Sequence, residues 1–64
     1  MERLQEKLKE LRTKKGWTQE DLARDINVSL STVQRWEKKG GEPTRLARRE
    51  LKRLFRRAGI SLES

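Results

Sequence analysis

The sequence predicts an all-α fold, a small bundle of four to five helices, on three observations. Apolar residues recur at helical spacing in four separate segments, and no segment shows the strict alternation of a strand. Capping residues stand at segment starts and glycines near segment ends. Charged residues make up 42 % of the chain, and nearly all are good helix formers, so the polar positions favour helix as well. At 64 residues the chain fits one domain, 1–64, with a core of modest size.

The first helix is expected at about 2–14, where Leu4, Leu8 and Leu11 share a face and Glu6, Lys9 and Glu10 stay wet. Gly16 stands where a C-capping glycine belongs, and Trp17 enters the core behind it. Thr18 is a good N-cap, with Asp21 three residues on as in a capping box, so a second helix covers about 19–26. Its inner face is Leu22, Ala23 and Ile26. Asn27 follows where the chain must turn sharply, and Asn tolerates the left-handed region better than most residues. Ser29 caps a third helix, about 30–38, whose inner residues are Val33 and Trp36. Gly40-Gly41-Glu42 reads as a connector. Pro43 is expected in the first turn of a fourth helix, about 44–58, with the stripe Ala47, Leu51, Leu54, Phe55 and Ala58. Gly59 stops it, Ile60 folds back as in a Schellman motif, and a short tail holds Leu62.

The third helix is apolar on one side and chemically armed on the other. Leu30, Ser31, Gln34 and Arg35 lie outward, and a helix presented in this way fits the major groove of DNA. Arg35 has the two-pronged donor set that matches guanine O6 and N7, and Gln34 can bridge adenine N6 and N7. Ser31 is short and adaptable. Leu30 reads either as a partner for a thymine methyl or as a scattered surface apolar residue. These four are the expected base contacts. Expected phosphate contacts are Gln19 at the start of the second helix, the hydroxyls of Thr18, Ser29 and Thr32, Lys38 and Lys39 at the end of the third, and Thr44 and Arg45 at the start of the fourth.

Taken together, Trp17-Thr18-Gln19, Leu22-Ala23, Ile26, Val28-Ser29, Thr32-Val33, Trp36-Glu37 and Pro43 resemble the helix-turn-helix of the phage repressor and Cro family, the lambda-repressor-like or XRE-type domain. The resemblance covers roughly residues 3–58. It implies a transcription-regulator-like double-stranded DNA-binding domain. It also implies a partly buried ion pair between Arg12 of the first helix and Glu37, the residue after the tryptophan. Two positions depart from the family pattern: Asn27 replaces the usual turn glycine, and the glycines after Trp36 fall at Gly40 and Gly41.

Charge supports the same partner. Residues 1–28 hold seven Lys/Arg against six Asp/Glu, whereas residues 29–58 hold ten against three, so the excess begins where the third helix begins. The run Arg48, Arg49, Arg53, Arg56 and Arg57 is expected mostly on the solvated back of the fourth helix. The charged, explicitly capped composition also reads as an idealised chain of designed or redesigned type.

The same inventory argues against other classes. With no His, Cys or Tyr and no paired carboxylates in a plausible pocket, an enzyme, a metal site and a small-molecule or cofactor site are not expected. No apolar run approaches a membrane span or signal segment, so a cytoplasmic protein with no membrane partner is expected. A monomer or weak homodimer is expected. The alternative reading is a protein-interaction module, an antitoxin-like or adaptor bundle; it requires an apolar outer face, for which only Leu30 and Leu46 qualify. Binding to a membrane surface through the basic fourth helix ranks below both, because the apolar stripe of that helix is needed for the core.

Overall fold

The computed structural model describes residues 3–61, so the expected helix start at residue 2 and the tail residue Leu62 lie outside the described residues. Within them the chain forms α1 (Leu4–Lys15), α2 (Gln19–Asp25), α3 (Leu30–Lys39) and α4 (Arg45–Arg57), and no strand.

Local chemistry explains the starts. Thr18 Oγ1 accepts from the Asp21 amide at 3.1 Å while the Thr18 amide donates to Asp21 Oδ2 at 2.9 Å, a complete capping box. Ser29 Oγ accepts from the Thr32 amide and Thr44 Oγ1 from the Ala47 amide, both at 3.2 Å. Pro43 departs from expectation. It lies outside α4, immediately before the cap Thr44, and is buried. The cap has to be extended (ψ 168 at Thr44), and the helix proper opens only after it, so the proline precedes the cap.

The ends of α1, α2 and α4 follow one rule, whereas α3 closes with a single bond from the Gly40 amide to the Trp36 carbonyl at 3.0 Å. At the close of α2 the Val28 amide donates to the Ala23 carbonyl at 2.9 Å and the Asn27 amide to the Arg24 carbonyl at 3.3 Å, the paired bonds of a Schellman motif. This requires Asn27 in the left-handed region, at φ 59, which a short amide side chain tolerates without the glycine usual in the resembling family. The same pair of bonds closes α1 around Gly16 and α4 around Gly59, where the Ile60 amide reaches the Phe55 carbonyl at 2.8 Å and Ile60 folds back into the core.

Those caps aim the apolar faces at one centre. Leu4, Leu8 and Leu11 of α1, Leu22 and Ala23 of α2, Val33 and Trp36 of α3, and Ala47, Leu51, Leu54 and Phe55 of α4 are buried together with Ile26 and Ile60. α2 and α3 pack on each other, and α1 packs on both α3 and α4. Trp17 only borders this core. It follows the left-handed Gly16, so its ring lies over the rim, with Lys15 Nζ 5.3 Å from the ring centroid. Lys7, between core positions of α1, is also buried.

The capping box makes α2 sensitive to acid. Hydrogen bonds from the Thr18 backbone and side chain hold the Asp21 carboxyl below its ordinary value of 3.8. A carboxyl depressed in the folded state stabilises above its unfolded pKa and loses that contribution as pH falls through the folded value. NMR titration of Asp21 is therefore expected to give a midpoint below 3.8, and Asp21→Asn to flatten the acid limb of the stability curve. A midpoint at or above 3.8 would mean the box does not form in solution.

Candidate nucleic-acid interface

The tight turn at Asn27-Val28 sets α3 against α2, and Val28 packs on the core from the turn itself. Val33, Trp36 and Glu37 point inward from α3. Ser31, Gln34, Arg35 and Lys38, at i, i+3, i+4 and i+7, are all exposed along one outward stripe. Gln34 and Arg35 make no hydrogen bond or ion pair among the described residues, so their donors stand free. Ser31 Oγ lies 3.2 Å from Ser29 Oγ, and Ser29 Oγ lies 2.7 Å from Thr32 Oγ1, so the three hydroxyls form a short chain at the start of α3. Leu30 begins the same helix at 36 % exposure, partly sheltered but open to a ligand.

Behind this face lies a built polar contact. Arg12 Nε donates to Glu37 Oε2 at 2.7 Å and Arg12 Nη2 donates to Glu37 Oε1 at 2.8 Å, a two-pronged pair. The Glu37 side chain is 4 % exposed and that of Arg12 23 %. The Glu37 carboxylate, chiefly through these hydrogen bonds, holds the Arg12 guanidinium above its ordinary range. Arg12 Nη1 also reaches the Trp17 carbonyl at 3.4 Å. One cation thus ties together α1, the α1–α2 link and α3.

Gln19 joins the same group. Its Nε2 donates to Glu37 Oε1 at 3.3 Å, so its amide is oriented by the ion pair and does not swing freely. Gln19, Gln34, Glu37 and Lys38 line a shallow recess together with Lys9 of α1. Lys9 was expected simply on the wet side of its helix. The signal for it lay in spacing: Gln5, Lys9 and Arg12 fall at i, i+4 and i+7, one polar stripe along α1. Gln5 Nε2 donates to the Lys38 carbonyl at 2.7 Å, and Gln5 Cγ lies 3.5 Å from where a Cβ on Gly40 would stand. The stripe therefore follows α3 to its end.

The remaining expected phosphate residues surround α3. Thr18, Ser29, Lys38 and Lys39 are exposed, and Thr32 is partly buried. Thr44 and Arg45 are exposed at the start of α4, beyond the connector, so they belong to a separate edge from the Gln19 recess. The arginine run divides. Arg48 pairs with Glu42 at 2.9 Å and Arg53 pairs with Glu50, whereas Arg49, Arg56 and Arg57 are exposed and make no such bond among the described residues.

The described residues hold no group of three acidic, His or Cys side chains placed for a metal ion, and none of their helices is long and apolar enough to cross a membrane. Compared with known families, residues 8–64 match the model of a family described as helix-turn-helix. No curated protein and no solved structure matches the chain.

Proposed function

We propose, from the premise that this chain belongs to the lambda-repressor-like, XRE-type helix-turn-helix family, that it reads double-stranded DNA sequence-specifically with α3 in the major groove. The family is a DNA-binding one, and the finer reading rests on one observation: Gln34 and Arg35, without a partner among the described residues, beside Ser31 on the outward face of α3. Unpaired donors on a rigid helix suit base edges. Leu30, at the tip, suits a thymine methyl. Gln19, Lys38 and Lys39 hold phosphates around that helix, with Thr18, Ser29 and Thr32 adding hydroxyls and Thr44 and Arg45 a second edge. The domain acts as a monomer or weak homodimer in a regulator-like role.

Selection from a random duplex library tests this directly. A short enriched core is expected, and a doubled core would identify a dimer. On the enriched site, Arg35→Ala is expected to cost ~1–3 kcal/mol and to relax preference at one base pair. Gln19→Ala is expected to weaken all sequences alike, since a phosphate contact carries no base information. In the same assay, neutralising ~4–6 phosphates gives a log–log salt slope of about −4 to −5. Equal losses for Arg35→Ala on matched and scrambled duplexes would overturn the assignment of Arg35 to base readout, and a flat salt response would overturn DNA binding itself.

A further inference from the structure

We infer that the outer face of α4 is a second polyanion surface, which seats the phosphates of another DNA duplex and lets one molecule bridge two. The proposal goes beyond reading DNA with α3 and concerns a different part of the molecule. Arg49, Lys52 and Arg56 stand at i, i+3 and i+7, so they form one stripe. The buried residues of α4, Ala47, Leu51, Leu54 and Phe55, occupy the opposite side of the helix, so the stripe points straight away from the core. All three cations are exposed, and none makes an ion pair or hydrogen bond among the described residues.

The acids near this face do not cancel it. Glu42 is engaged by Arg48 and Glu50 by Arg53, which leaves the stripe itself in excess. Two shallow recesses run along it and share Arg49 and Lys52. From Arg49 to Arg56 the helix rises about 10 Å, roughly three base-pair steps of a duplex. Linear, evenly spaced cations over that length match a phosphate backbone, and arginine adds two-pronged geometry for phosphate oxygens. The face lacks the apolar partner a membrane surface needs. Leu46, 72 % exposed, flanks the stripe alone, and the rest of the apolar residues of α4 are buried.

Position separates this surface from the first. α3 and α4 each pack on α1, and each turns its exposed stripe away from its own buried face. A short duplex held by Ser31, Gln34 and Arg35 leaves the α4 stripe available to another.

The test mixes two short duplexes, one carrying a donor dye and the enriched site, the other an acceptor dye and an unrelated sequence, with the intact chain at low salt. Energy transfer between them is expected with the wild type. The triple variant Arg49→Gln/Lys52→Gln/Arg56→Gln is expected to abolish transfer while keeping helicity, melting and preference for the enriched site. Bridging should also vanish with added salt. Absence of transfer with the wild type, or transfer that persists in the triple variant, overturns the proposal. So does flotation of the wild type with phosphatidylglycerol vesicles without duplex bridging, which would assign the stripe to a lipid surface. Arg35→Ala in the same assay keeps the two readings apart: it relaxes preference at one base pair of the enriched site, whereas the triple variant keeps that preference and loses transfer. Transfer without any enriched site would uphold this surface and sink base readout by α3.

Discussion

Trp36→Ala is expected to lower stability by ~3–5 kcal/mol, the range for truncating a fully buried tryptophan. Trp36 is 2 % exposed and comes from α3, which packs on α1 and α2 at once, so no neighbour can close the gap without moving a helix. A chain of 64 residues has a total stability of about 3–10 kcal/mol, so the change removes much or all of it. Each lost kcal/mol lowers the melting temperature of so small a domain by about 4–8 °C. DNA affinity should fall in parallel, because Gln34 and Arg35 are carried by the same helix. Thermal melting followed by circular dichroism checks this, with Trp36→Phe as the milder companion. A melting curve that barely moves would place Trp36 outside the core and break the packing of α3 described above.

Arg12→Ala is expected to be nearly as damaging, at ~3–5 kcal/mol, and worse than Glu37→Ala. The order follows from exposure. Losing Arg12 strands a carboxylate that is 4 % exposed, with only the 3.3 Å bond from Gln19 left to it. Losing Glu37 strands a guanidinium that is 23 % exposed and can turn toward water. Replacing both, as Arg12→Met/Glu37→Leu, is expected to restore most of the stability, since an apolar pair needs no compensation. It should not restore DNA affinity, because Gln19 then loses the acceptor that orients its amide. Denaturant melts and binding curves on the three variants decide this. A double variant as unstable as Arg12→Ala, or one that binds DNA as well as the parent, would show that the pair does not position α3 and Gln19.

Much of this architecture was legible without coordinates because its signals are local. Asn27 and Gly16 mark helix ends through backbone conformations that few residues accept, and the bonds they permit reach only a few residues back. Thr18, Ser29 and Thr44 mark starts through hydrogen bonds three residues long. The apolar stripes follow from helical period alone, and so does the outward stripe of Ser31, Gln34 and Arg35. Pro43 falls two positions before the first helical residue Arg45, because the extended Thr44 takes the cap.

Local signals alone thus gave four helices, with the described ends shifted by one residue at Lys15, Asp25, Lys39, Arg45 and Arg57, most of the faces they bury, and the family to which residues 8–64 belong. Which polar residues meet across helices follows from packing. Gln5 reaches a carbonyl 33 positions away, Gln19 a carboxylate 18 away, and Lys9 shares a recess with both helices of the motif. The rim position of Trp17 and the burial of Lys7 belong to the same class. The physical reason is distance along the chain. Propensity and capping act within a turn or two, whereas these contacts depend on the angles at which α1, α2 and α3 cross, and those angles exist only once the core of all four helices has closed.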